Sequence, residues 1–194
     1  DQDDVSLPHR FEKQVIFMET HQDCGMLGTY ASVKVGNKID KYIKSHSVDS
    51  LLIKFELLFQ NQFIHSSVMI RKKVFDEIGL YTTEMSQSCN EDYELWCRIV
   101  REFEVSNIPE MLLIYREVPN SMSRINGQYG FFNSQVIIVI SEYLAWNTGK
   151  VKPDKDTNDF AILALGNYQM LSSRPRLRKI SRLLYEAADR LSSP

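Results

Sequence analysis

The sequence predicts an α/β fold: a mixed sheet with flanking helices over the first two-thirds, followed by a helical C-terminal third. Three observations predict it. Apolar residues make up 43% of the chain and charged residues 25%, which is a globular balance rather than a disordered one. Up to residue 117, stretches with helical spacing alternate with short β-branched and aromatic runs. From Gln128 onward only helical spacing is found.

The elements follow in order. Ser6 reads as a helix cap with Pro8 in the first turn. Leu7, Phe11, Val15 and Met18 then share one face. Gly25 is read as the glycine that ends this helix. Residues 26–35 form a strand, Gly36-Asn37 a turn, and residues 38–47 a polar strand remnant or loop. Residues 48–59 read as a helix with Leu51, Leu52, Phe55 and Leu58 on one face. Residues 63–70 read as a short strand, and 72–78 as a helix stopped by Gly79. After a polar loop, Asn90 caps a helix over 91–102 that carries Leu95, Trp96, Ile99 and Val100. Residues 103–108 and 112–117 read as strands separated by Pro109. In the last third, the run Val136 to Ile140 belongs to a buried helix. Thr157 caps the next helix, and Ile180, Leu183, Leu184, Ala187 and Leu191 mark an amphipathic C-terminal one.

The chain has 194 residues, one domain or one and a half, and a formal net charge of -2. That balance argues against a nucleic-acid partner, which a strong basic excess would accompany. Cys24, Cys89 and Cys97 are scattered and odd in number. They make no disulfide framework or zinc motif and fit a reducing compartment. Residues 131–146 are interrupted by polar side chains and are too short to span a bilayer. The abrupt acidic start, Asp1-Gln2-Asp3-Asp4, suggests a sequence that begins inside a larger domain.

Four groups of residues could carry chemistry. In an extended segment Asp1 and Asp3 point the same way and present two carboxylates, the ligands that Mg²⁺ and Mn²⁺ prefer. The alternative is an acidic stretch that favours the following helix dipole. Asn90-Glu91-Asp92 opens a helix, where an ionised carboxylate is stabilised and can accept a proton; ordinary capping is the alternative. Trp96 lies one turn after Asp92 and can face the same cleft or pack as core. The segment from Phe63 to Lys72 puts His65 and Ser67 on one strand face ahead of Arg71 and Lys72, with a half-exposed strand as the alternative. Tyr115-Arg116 and Ser121-Met122-Ser123 could bind phosphate oxygens.

Taken together, these segments resemble family 2 glycosyltransferases of the GT-A fold. The resemblance runs through Asp1-Gln2-Asp3-Asp4 and Ser6-Leu7-Pro8-x-Arg10-x-Glu12-Lys13-Gln14, then Gly25 to Thr29 and Phe63 to Arg71. It continues through Glu91-Asp92-Tyr93-Glu94-Leu95-Trp96 and Leu112-Leu113-Ile114-Tyr115-Arg116, about 120 residues in family order. It implies the acceptor-side and catalytic part of such an enzyme over residues 1–123, with a helical region over 124–194. Asp1 and Asp3 would be the Asp-x-Asp metal ligands that contact a nucleoside-diphosphate sugar, with Arg116 and Ser121 also on the donor. Asp92 would be the catalytic base. Glu91, Trp96, His65 and Arg71 would shape the acceptor side. The implied reaction is an inverting, Mg²⁺- or Mn²⁺-dependent hexosyl transfer to a glycan or lipid-linked acceptor in surface polysaccharide synthesis. The family's donor-nucleotide half, about a hundred residues of βα units, would precede residue 1. Relatives often carry Tyr-Arg-x-His, and the His position here is Val118.

Two other readings compete. Asp1-x-Asp3-x-Val5 also fits the nucleophile motif of haloacid-dehalogenase-type phosphatases, although the later Gly-Asp-x-x-x-Asp loop of that family is missing. A non-catalytic binding module of the same fold is the other. The expected setting is cytoplasmic, with a peripheral membrane contact through the basic cluster Arg174, Arg176, Arg178, Lys179 and Arg182, against the alternative of a solvated helix face. An oligomer is compatible with apolar surface left by a missing half.

Overall fold

The computed structural model describes residues 3–36, 38–83, 90–118 and 131–192. The chain divides into two compact units. One comprises Asp1–Ile53, Gln62–Tyr81 and Arg98–Ser121; the other comprises Lys54–Asn61, Thr82–Cys97 and Met122–Pro194.

The first unit is built on a mixed sheet. Its centre is the parallel pair β2 (Cys24–Val35) and β5 (Glu104–Glu117). β1 (Val5–Ser6) runs antiparallel on the far side of β5, with Ser6 opposite Leu113. β3 (Lys38–Lys44) and β4 (Met69–Ile70) pair antiparallel with different stretches of β2. β2 and β3 form a hairpin, and Gly36 takes the left-handed φ of 57° that its turn requires. β5 is one strand rather than two. Pro109, which cannot donate to the ladder, sits where the register skips from Ile108 to Met111, so a bulge absorbs it. The sheet buries Met18, Cys24, Leu27, Ile108 and Leu112 in one cluster, and Ala31, Ile64 and Leu113 in another.

Several expectations are corrected. Ser6 does not cap a helix, because its backbone is engaged in the sheet. Helix α1 (Arg10–Thr20) starts instead after His9, which takes a φ of 67°. The inward face of α1 is Arg10, Gln14 and Met18, while Phe11 is 59% exposed and Val15 and Ile16 also face out. Gly25 ends no helix. It lies in β2 against Phe103, where an added Cβ would stand 2.7 Å from the Phe103 Cβ. Residues 63–70 are not a single strand: His65–Ser67 is a 3₁₀ turn, and only Met69–Ile70 pairs. Helix α2 (Ser50–Glu56) leaves Leu51 and Leu52 exposed and buries Ile53, followed by buried Leu57 and Leu58. Helix α3 (Lys72–Ile78) ends at Gly79, φ 87°, as its sequence predicts.

Gly28 carries a packing requirement. An added Cβ would lie 2.1 Å from the amide oxygen of buried Asn107 and 2.9 Å from the Phe63 ring. Asn107 cannot easily retreat, because its Nδ2 donates to the carbonyls of Ser47 and Gln62 at 2.8 and 3.2 Å. Gly28→Ala is therefore expected to cost about 1–3 kcal/mol as overpacking, seen as a lower midpoint in chemical denaturation with an unchanged slope.

The second unit is helical. Helix α4 (Glu91–Ile99), which begins in this unit and ends in the first, stops a turn earlier than its periodicity suggests, and Leu95, Trp96, Ile99 and Val100 are all buried. In the Phe131–Asn147 helix, Val136, Ile137, Val139 and Ile140 are buried. The next helix, Lys155–Ala164, is capped by Asp154 rather than Thr157. The Asp154 carboxylate accepts from the amides of Asp156 and Thr157, and the Thr157 hydroxyl accepts from the Asp154 amide. Thr157 is thus the reciprocal member of the capping box. The Leu177–Ser192 helix buries Ile180, Leu183 and Ala187. Among the described residues, no helix is long and apolar enough to cross a membrane.

Candidate functional site

The acidic segment of the first unit is held by a relay of hydrogen bonds. Both carboxylate oxygens of Asp4 are engaged: Oδ1 accepts from the Arg116 amide at 2.8 Å, and Oδ2 accepts from the Ser66 hydroxyl. The Ser66 carbonyl in turn accepts from Arg10 Nη1 at 2.6 Å. Three of the singled-out segments, the acidic start, the 65–67 turn and the Tyr115-Arg116 strand end, therefore meet at Asp4. Asp3 is the next residue and stands exposed. Asp4 is the anchor of the segment, and Asp3 is the carboxylate left facing solvent. Asp1 and Ser121 lie outside the described residues. Arg116 contributes its backbone amide to the anchor, and its side chain is exposed.

Lys44, at the end of β3, joins this neighbourhood. Its Nζ lies 3.7 Å from the centre of the Tyr115 ring, a cation–π contact. Burial lowers its pKa, while the charges of Glu117 and Asp4 act in the opposite sense. The sequence offered little sign of it, since one lysine in a polar strand is unremarkable. Asp4 was visible in the acidic run, but nothing in the run distinguishes an anchor from a ligand.

The motif residues following the acidic segment are clamps. Gln14 is fully buried, and its Nε2 donates to the carbonyls of Leu27 and Ser67 at 3.0 and 2.9 Å. One side chain thus ties α1 to β2 and to the 65–67 turn. The Ser67 hydroxyl donates to Ile64 at 2.8 Å and accepts from the Thr29 amide at 3.2 Å. The Arg71 guanidinium donates to the carbonyls of Met18, Cys24 and His21, at the end of α1 and the start of β2. Its donors are therefore engaged with backbone, and this holds the sheet rather than offering a free cation. His65 does not share a strand face with Ser67. Its Nε2 is 3.1 Å from the Tyr81 hydroxyl.

In the second unit, Asp92 stands in the first turn of α4, where the helix dipole favours an anion. Its Oδ1 accepts from the Tyr93 amide at 2.7 Å, and its Oδ2 from Asn61 Nδ2 at 3.1 Å. Glu91, beside it, carries one buried carboxylate oxygen with no hydrogen-bond partner. Trp96 has no exposed surface, which is the core alternative of its two readings. Tyr93 burial pushes its phenol well above the ordinary range, and its hydroxyl donates to the Leu57 carbonyl at 2.6 Å. The tyrosine is thus a neutral structural strut and not a proton donor.

The Cys24 thiol is not an activated nucleophile. Cys24 is buried, and burial pushes its thiol up to about 11, so it is protonated at neutral pH. For a metal, the described residues hold no cluster of three or more His, Cys, Asp or Glu side chains. An exposed Asp3 nonetheless suits the donor chemistry of Mg²⁺ or Mn²⁺, which bind through one or two carboxylates with waters and substrate phosphates completing the shell.

No family model matches the chain. It is 28% identical over 153 residues to the amylovoran biosynthesis glycosyltransferase AmsE of Erwinia amylovora, covering 78% of this chain and 56% of that protein. It is 36% identical over 120 residues to the O-antigen biosynthesis glycosyltransferase WbnJ of Escherichia coli, covering 60% of this chain and 45% of that protein. A glycosyltransferase of Methanocaldococcus jannaschii is 31% identical over 133 residues, covering 66% of this chain and 44% of that protein. The chain spans about half the length of the curated relatives it matches. An α/β chain with an anchored acidic segment is thus similar, over much of its length, to glycosyltransferases, two of them named for polysaccharide biosynthesis.

Proposed function

We propose that this chain is the acceptor-side and catalytic portion of an inverting, metal-dependent GT-A glycosyltransferase of family 2, which moves a hexosyl group from a nucleoside-diphosphate sugar to a glycan or lipid-linked acceptor. The observation that carries this reading is the Asp4 anchor, which fixes an exposed Asp3 at the edge of the sheet beside the Tyr115-Arg116 strand end. In it, Asp92 accepts the proton of the acceptor hydroxyl. The acceptor oxygen forms a bond to the anomeric carbon, the bond from that carbon to the diphosphate breaks, and the electron pair leaves with the nucleoside diphosphate. Asp3 and Asp1 would hold Mg²⁺ or Mn²⁺, whose chemistry there is neutralisation of diphosphate charge. Arg116 and Ser121 are the donor-phosphate contacts, and Glu91, His65 and Arg71 belong to the acceptor side. Arg71 acts there through the backbone it holds.

Calorimetry with sugar nucleotides in the presence of Mn²⁺ tests the proposal. Donor binding that requires Mn²⁺ and is lost in Asp3→Asn is expected. Acyl-phosphate trapping at Asp1 would instead favour the phosphatase reading. Absence of donor binding in the wild type would leave a binding module.

A further inference from the structure

The last part of the second unit is polarised in charge. Residues 160–185 contain no Asp or Glu and five cations, in a chain of net charge -2. Two of the five have acidic partners. Arg176 makes a two-pronged ion pair with buried Asp156 at 2.7 and 2.6 Å, and Arg182 bonds Glu186 at 3.0 Å. Arg174, Arg178 and Lys179 are exposed and make no ion pair among the described residues. Arg178 and Lys179 occupy the first turn of the Leu177–Ser192 helix, which has no acidic residue there. Cations at that end oppose the helix dipole, so the arrangement lowers helix stability unless an anion approaches.

Exposed apolar side chains accompany these charges. Tyr168 is 64% exposed, Leu177 62% and Met170 42%. They fall within twelve residues of sequence together with Arg174, Arg178 and Lys179. The Arg176–Asp156 pair pins this stretch to the Lys155–Ala164 helix. Exposed apolar side chains interspersed in sequence with unpaired cations match an anionic lipid surface, where the apolar groups enter the headgroup boundary and each cation contributes attraction.

We infer that residues 168–179, with the start of the Leu177–Ser192 helix, form a docking surface for an anionic lipid bilayer. The acids of that helix, Glu186 and Asp189, lie in its second half, so its N-terminal end faces the bilayer. The inference stands on charge and exposure in this segment and does not depend on sugar transfer.

Co-sedimentation of the protein with vesicles tests it. Binding is expected to phosphatidylcholine vesicles that contain phosphatidylglycerol, and not to phosphatidylcholine alone, with release at high salt. The triple variant Arg174→Glu, Arg178→Glu, Lys179→Glu should lose roughly a hundredfold or more in affinity. Leu177→Ser should weaken binding while keeping its salt dependence. All four positions are exposed, and an unchanged circular dichroism spectrum confirms that the variants fold. Equal binding to neutral vesicles, unchanged binding of the triple variant, or binding only to an oligonucleotide competitor would each overturn the inference.

Discussion

Replacing Asp92 by Asn is expected to lower sugar transfer by about 10²–10⁴-fold while leaving donor binding and the thermal midpoint close to wild type. The fold should tolerate the change. The carboxylate sits in the first turn of α4, accepting from the Tyr93 amide and from Asn61, and an asparagine oxygen can keep one of these bonds. The net worth of the other is about 1 kcal/mol, small beside the barrier change. The substitution removes the capacity to take a proton from the acceptor hydroxyl. Steady-state transfer with saturating donor and acceptor checks it. A turnover number within about threefold of wild type, where a general base should count for about 10²–10⁴, would remove Asp92 from the reaction.

Trp96→Ala is expected to cost about 3–5 kcal/mol of stability. Trp96 is the largest fully buried side chain in the molecule's described core. Truncation leaves a cavity that neighbours fill only partly. Urea denaturation measures the loss, and Trp96→Phe, which retains much of the volume, should recover most of it. The pair of variants also separates the two readings of this residue. A core tryptophan gives a destabilised Ala variant and a Phe variant of near-native turnover. An acceptor-contacting one would raise the acceptor KM in the Phe variant with little change in midpoint.

The sequence conveyed element identity better than element orientation. The strand over residues 26–35, the helix ended by Gly79 and the largely buried β-branched run Val136 to Ile140 were legible, because their pattern and their burial agree. Helix α1 was not legible. Periodicity treats apolar side chains as inward, yet Arg10 and Gln14 occupy its inner face because they satisfy carbonyls of Ser66, Leu27 and Ser67. Buried polar groups are held by hydrogen bonds, here through Arg10 Nη1 and Gln14 Nε2 although Arg10 Nε and Gln14 Oε1 find no partner among the described residues, and no hydropathy pattern reports partners distant in the chain. The 65–67 turn was missed for a related reason, since alternation also describes a 3₁₀ turn leading into a two-residue strand. Pro109 was read as a strand break when a bulge accommodates it. At the candidate site, the acidic residues were visible, but the division of labour between Asp3 and Asp4 was not. It depends on the Arg116 amide, 112 positions later.

That separation sets a schedule for assembly. β2 and β5 lie side by side at the centre of the sheet, yet more than half the described polypeptide intervenes between the acidic segment and its amide partner. A pairing so remote closes a large loop, and its entropy must be met before the ladders to β5 form. On a ribosome, the Asp4 carboxylate emerges before its amide partner and waits unanchored until β5 has been made. The Asp4 anchor therefore cannot be ordered until the end of β5 is available.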